Sequence, residues 1–200
     1  MRVFIVRHGE TNWNLEGRIQ GISDVPLNAT GLEQAQKIAN RLRLQHFDAI
    51  FTSPLKRAKQ TAELIAQFHS GTPFYSEPNL REVSFGTAEG LTWKEIAMKY
   101  PYECRPKTPQ EEFVGKFPEG DSVEERVEAL IPVVEKWKQQ YQGKTILLST
   151  HGYIKRALLM VFGMISFEKS SGMRFGNTAL TILKPFDVDQ IELLNDTSHL

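Results

Sequence analysis

The chain has 200 residues, 40% of them apolar and 24% charged, an ordinary globular composition that excludes a disordered or collagen-like polypeptide. Lys plus Arg number 24 and Asp plus Glu number 24, so no global field draws the chain to nucleic acid or to an anionic bilayer, and a charged ligand must be held by local geometry. One domain over residues 1–200 is expected, and the single cysteine, Cys104, can neither close an internal disulfide nor supply the spacing of a zinc site.

Val3 to Val6 is a short β-branched apolar run bounded by charge, which predicts a buried strand ending directly at Arg7-His8-Gly9. That run is too short for a signal-peptide core, and the longest apolar run, Ala157 to Ile165, is broken by Gly163 and too short for a bilayer. A cytoplasmic protein without membrane contact is therefore expected. Thr30 and Glu33 have capping-box spacing, and Leu32, Ala35, Ile38, Ala39 and Leu42 then follow a helical stripe. Asp48 to Thr52 predicts a second strand. Ser53-Pro54 offers an N-cap and a first-turn proline for a helix carrying Ala58, Thr61, Ala62, Ile65 and Phe68 on one face.

Further on, Thr92 with Glu95 and Ser122 with Glu125 repeat the capping-box pattern. The second opens a helix whose apolar stripe runs through Val123, Val127, Leu130, Ile131, Val134 and Trp137, and Gly143 is placed to stop it. Tyr100 to Gly120 contains four prolines and predicts an irregular, lid-like loop. Thr145 to Thr150 predicts a buried strand leading into His151-Gly152, Ile154 to Phe162 a helix, and Thr178 to Leu183 and Gln190 to Leu194 two closing strands. Strands alternating with helices predict a three-layer α/β/α sandwich on a mostly parallel central sheet, with ligands beyond the carboxyl ends of the strands.

Three predicted strand ends carry the residues with chemistry. An arginine beside a histidine, followed by glycine, sets a planar cationic fork and an imidazole on one turn. Arg57 sits in the first turns of a helix, whose N-terminus attracts anions, and His151-Gly152 repeats the strand-to-His-Gly arrangement. Glu82 lies in a stretch rich in turn residues. His46 and His69 fall near predicted helix C-termini, where a structural role is expected, and His199 is read as tail.

The runs RHGETNWN (from Arg7 to Asn14), SPLKRAKQT (from Ser53 to Thr61), LREVSFGTAEG (from Leu80 to Gly90) and STHG (from Ser149 to Gly152) resemble, in order and spacing, the histidine phosphatase superfamily. The resemblance covers nearly the whole chain and implies the phosphoglycerate mutase-like fold. It further implies that His8 is a nucleophile that becomes phosphorylated, that Arg7, Arg57 and His151 hold phosphoryl oxygens, and that Glu82 donates and accepts protons. Thr11, Asn14, Gln20, Gly21 and Gly152 are implied as pocket or substrate contacts, with no metal and no cofactor.

The charges fit those roles. Two guanidiniums suit a phosphomonoester dianion and should hold His8 neutral, whereas Glu82 must keep a proton beside the same cations, which calls for burial or a bound phosphate to raise its pKa. The implied activity is metal-independent hydrolysis of a small phosphorylated metabolite. The alternatives are a 2,3-bisphosphoglycerate-dependent phosphoglycerate mutase and an inactive phospho-ligand binding protein. Tyr100 to Gly120 favours the phosphatase branch, because mutases of the family are longer there and carry paired arginines, whereas this chain has only the separated Arg105 and Lys107. Ala88 stands where many such phosphatases carry a bulky aromatic residue, which suggests a wider pocket. The natural substrate and the oligomeric state, a homodimer being one option, are left open.

Overall fold

A computed structural model describes residues 1–103, 108–185 and 191–200. Cys104, Arg105 and Lys107, and the start of the last expected strand at Gln190, lie outside the described residues. Six strands, β1 (Arg2–Arg7), β2 (Ala49–Thr52), β3 (Phe74–Ser76), β4 (Thr145–Thr150), β5 (Leu180–Leu183) and β6 (Ile191–Asp196), form one sheet in the order β3-β2-β4-β1-β5-β6. β3, β2, β4 and β1 pair in parallel, and β5 runs antiparallel to both β1 and β6. The helices are α1 (Asn12–Leu15), α2 (Ala29–Leu42), α3 (Lys56–Ala66), α4 (Trp93–Lys99), α5 (Pro109–Val114), α6 (Val123–Gln140), α7 (Gly152–Val161) and α8 (Phe167–Ser170).

Alternation along β1 builds the three layers. Val3 and Ile5 face Leu130, Val134 and Trp137 of α6 and Ile154 and Leu158 of α7. Phe4 and Val6 face the other way, onto Ile38 and Leu42 of α2 and Ala62 and Ile65 of α3. Among the described residues no helix is long and apolar enough to cross a membrane.

Several expected boundaries move. The cap of α2 is Asn28, whose side chain accepts the Gly31 N–H at 2.8 Å, and Thr30 lies inside the first turn. The stripe begins at Gly31 as a result, and Leu32 is exposed. α3 starts later than expected, after Leu55, while Ser53 Oγ accepts the Leu55 N–H at 3.2 Å and also meets His151 Nε2. Phe68 lies past the end of that helix, and Ile131 faces outward from α6. The 100–120 segment is not irregular throughout: Thr108 and Glu111 form a capping box and Pro109 takes the first turn of α5, where its missing N–H costs nothing. β3 escaped the pattern because it is a three-residue exposed strand without alternation.

Candidate active site

β2, β4 and β1 are neighbours in the sheet, and their carboxyl ends deliver Ser53 with Arg57, His151, and Arg7 with His8 to one edge. Gly9 is required by close packing. A Cβ there would lie 2.4 Å from the Gly31 carbonyl oxygen, and one on Gly31 would lie 2.0 Å from that of Glu10. Both glycines therefore let the start of α2 abut the turn after β1. Gly9→Ala is expected to lower the unfolding free energy in urea by about 1–3 kcal/mol, the usual cost of overpacking, and to slow turnover by displacing His8.

His8 is buried, with Nδ1 2.7 Å from the Gly9 carbonyl oxygen. A carbonyl can only accept, so Nδ1 carries the hydrogen and Nε2 keeps its lone pair. Burial, and after it Arg57 and Arg7, hold the imidazole well below the ordinary histidine range, hence neutral. His151 lies beside it, with ring centroids 5.3 Å apart, and its Nε2 is 2.7 Å from Ser53 Oγ. It too is kept neutral, chiefly by burial.

Arg57 is 1% exposed and donates from Nη1 to the Ser23 carbonyl (2.8 Å) and from Nη2 to that of Gly21 (2.7 Å). Burial draws it down to about 10, which leaves it charged at neutral pH. The loop it grips is also tied by Glu89, which accepts the N–H groups of Ile22 and Ser23. Gly21 has φ +52°, and a Cβ on it would overlap the Glu89 carboxylate. Arg7 donates from Nη1 to the Phe175 carbonyl at 2.5 Å. Among the described residues Arg7 Nε, Arg57 Nε and His151 Nδ1 are buried without a hydrogen-bond partner.

Thr150 Oγ1 at the end of β4 donates to the Leu80 carbonyl at 2.8 Å, and Arg126 donates to that of Asn79 at 3.0 Å, which fixes the single 3₁₀ turn, Pro78–Leu80, that leads to Glu82. The Glu82 carboxyl faces the N-terminus of α7, accepting from the N–H groups of Tyr153 and Ile154 at 3.3 Å each and of Val83 at 3.1 Å. Burial raises its pKa more than Arg57, the peptide donors and Arg7 lower it. Burial thus supplies the upward direction expected from the sequence.

These side chains open on a cavity of about 350 Å³ lined by Arg7, His8, Asn14, Gln20, Gly21, Arg57, Glu82 and Gly152 among the residues singled out from sequence. Thr11 does not line it. It is fully buried and caps α1, where its Oγ accepts the Asn14 N–H. His151 is behind the wall rather than on it. Ala88 does not widen the cavity, since it packs beneath with Ile19 and Ile96. Sequence reasoning missed the outer wall, including Arg18, Phe85, Trp93, Tyr153, Glu112 and Arg156. Arg156 could have been found, since it stands one helical turn past Gly152 on a helix that starts at the site. Glu112 of α5 pairs with Arg156 at 2.7 Å and accepts from Ser171 Oγ.

A family model described as "Histidine phosphatase superfamily (branch 1)" matches residues 3–197. The chain belongs to that superfamily. The family assignment makes it an enzyme of the phosphomonoesterase type, with the mutase-like α/β architecture seen in its sheet. It is 37% identical over 157 residues to the "Uncharacterized phosphatase PhoE" of Bacillus subtilis, covering 78% of this chain and 75% of that protein. It is 32% identical over 206 residues to the "Probable phosphoglycerate mutase GpmB" of Yersinia enterocolitica, covering 100% and 95%. A solved phosphoserine phosphatase of Entamoeba histolytica in complex with phosphoserine superposes with a TM-score of 0.83 at 27% identity, over 100% of this chain and 98% of that one.

Proposed function

We propose that this protein hydrolyses a small phosphomonoester through a phosphohistidine at His8, without a metal ion. The observation that carries the reading is a neutral imidazole with a free Nε2 in a cavity walled by the buried Arg57 guanidinium, the half-buried Arg7 and a carboxyl of raised pKa. The guanidiniums of Arg7 and Arg57 on the cavity wall suit an anion with several acceptor oxygens.

In the first half-reaction the Nε2 lone pair forms a bond to phosphorus as the bond to the leaving oxygen breaks. The Glu82 proton goes to that oxygen. The Gly9 carbonyl, accepting from Nδ1–H, supports the positive charge that develops on the ring. Arg7 and Arg57 bind the equatorial oxygens as charge spreads onto them. In the second half, water attacks phosphorus, gives its proton to the Glu82 carboxylate, and the N–P bond breaks to return neutral His8 with release of phosphate. Asn14, Gln20, Gly21 and Gly152 contact the substrate, Thr11 acts through Asn14, and α5 covers the leaving group as a lid.

Hydrolysis is favoured over isomerisation by the outer wall. A bisphosphate brings a second dianion, and among the described outer-wall cations Arg156 is neutralised by Glu112 and Arg18 by Glu16 and Glu95, which leaves Arg174 alone without an ion pair there. The test is incubation with 3-phosphoglycerate, with and without 2,3-bisphosphoglycerate, following both phosphate release and 2-phosphoglycerate. Phosphate release is expected, whereas bisphosphate-dependent isomerisation without release overturns the reading. Activity on an aryl phosphate should persist in excess EDTA.

Glu82→Gln is expected to slow turnover of an alkyl phosphate by about 10²–10⁴-fold, the usual worth of a positioned acid. With an aryl phosphate, whose leaving group needs less protonation, the loss should be smaller. Because burial raises Glu82, its acid form persists above the usual carboxylate range, and kcat/KM should fall only as pH rises through that raised value. Steady-state profiles of wild type and variant check this: the alkaline fall should vanish with Gln.

A further inference from the structure

Lys155 is fully buried on α7 and takes no part in the chemistry above. Its Nζ donates to the Ala179 carbonyl at 2.6 Å and lies 4.7 Å from the centroid of the Phe175 ring. Both partners belong to the stretch 175–179, which grips the end of β1 from below. Arg7 donates from Nη1 to the Phe175 carbonyl (2.5 Å) and from its peptide N–H to that of Ala179 (3.3 Å). The His8 carbonyl in turn accepts from the Thr178 N–H (3.2 Å) and from Asn177 Nδ2 (3.1 Å).

This stretch holds a conformation that it would not adopt alone. Thr178, a β-branched residue, has φ +52°, and such strain persists only where the surroundings over-determine it. The surroundings are Lys155 on one side and, on the other, His199 Nε2, 2.9 Å from Thr178 Oγ1, so the residue read from sequence as tail is a brace. Burial holds the Lys155 amine well below the ordinary lysine range, and a methionine of similar length would fill the same space without a buried polar head. What a methionine cannot do is hold the Ala179 carbonyl.

We infer that Lys155 is a positioning residue for phosphoryl binding: by tying the Phe175–Ala179 stretch to α7, it sets where Arg7 points its guanidinium. The inference rests on the proposed role of Arg7 as a phosphoryl ligand.

The test is a double-mutant cycle of Lys155→Met and Arg7→Ala on the full chain, read by kcat/KM for an aryl phosphate, by competitive inhibition with inorganic phosphate and by thermal unfolding. Lys155→Met should lower kcat/KM by about tenfold and weaken phosphate inhibition when Arg7 is present, in line with the sensitivity of rate to small misplacements. In the Arg7→Ala background the same change should cost less than about twofold, and the midpoint of Lys155→Met should stay within about 5 °C of wild type or rise. Equal factors in both backgrounds, no effect in either, or collapse of the midpoint with Lys155→Met each overturn the inference. Lys155→Gln, which keeps a donor without the charge, should recover part of the activity lost with Met. Wild type and His8→Ala are run alongside: if they are equally active, the proposed function has failed, whereas a normal His8 effect without coupling sinks the Lys155 inference alone.

Discussion

Replacing His8 by alanine should lower kcat/KM by about 10⁵-fold or more, because it removes the group that bonds to phosphorus and leaves only binding and electrostatics to act. Folding should survive, since the ring makes one side-chain hydrogen bond, to its own neighbour Gly9. Rapid quenching of the wild type with a labelled phosphomonoester should trap a phosphoenzyme that withstands alkali and decays in acid, as a P–N bond does, and the label should be absent from His8→Ala. An adduct stable in acid and lost in alkali would point to a hydroxyl or carboxyl acceptor and remove His8 from its role.

The loss expected for Arg57→Ala is about 10³–10⁵-fold in kcat, the range for a guanidinium that meets charge developing on a transferring phosphoryl group. A second consequence follows from its electrostatics. Arg57 lowers the pKa of both His8 and Glu82, so its removal raises both. His8 then protonates, and loses its nucleophilic lone pair, at higher pH on the acid side. Glu82 keeps its proton to higher pH on the alkaline side. The whole kcat/KM profile should move to higher pH, and a profile that only shrinks in height would contradict the placement of this charge between the two groups. Arg57→Lys should rescue poorly, because one ammonium cannot hold the Gly21 and Ser23 carbonyls and also present a free Nε donor.

Strand β1 and the helices α2 and α6 were legible because each must bury one face, and apolar residues at a period of 2 or 3.6 record that need in the chain itself. Arg7, His8, Arg57, Glu82 and His151 were legible for a different reason. They occupy motifs whose order and spacing match a family, and three of the motifs fall at strand ends. Local reading failed where long-range contact decides. Ser53 gave no local sign that its hydroxyl, besides accepting the Leu55 N–H, would meet His151, and Thr11 looks like a pocket residue until it turns inward to cap α1. Glu89, in a run already singled out, gave no local sign that it would bind the backbone of residues 22 and 23.

The sequence by itself determined the layered α/β fold, the motifs that hold the residues proposed to handle the phosphoryl group, and the absence of a global field. Only the tertiary structure decided which nitrogen of His8 is free, that burial outweighs the arginines at Glu82, and that Glu112 neutralises Arg156 at the cavity's outer wall. The reason is physical. Secondary structure and motif content depend on neighbours within a turn or a strand, which the sequence records directly. Tautomer, proton affinity and charge pairing depend on desolvation and on partners many residues away, and these come into being only when the sheet brings its strand ends together.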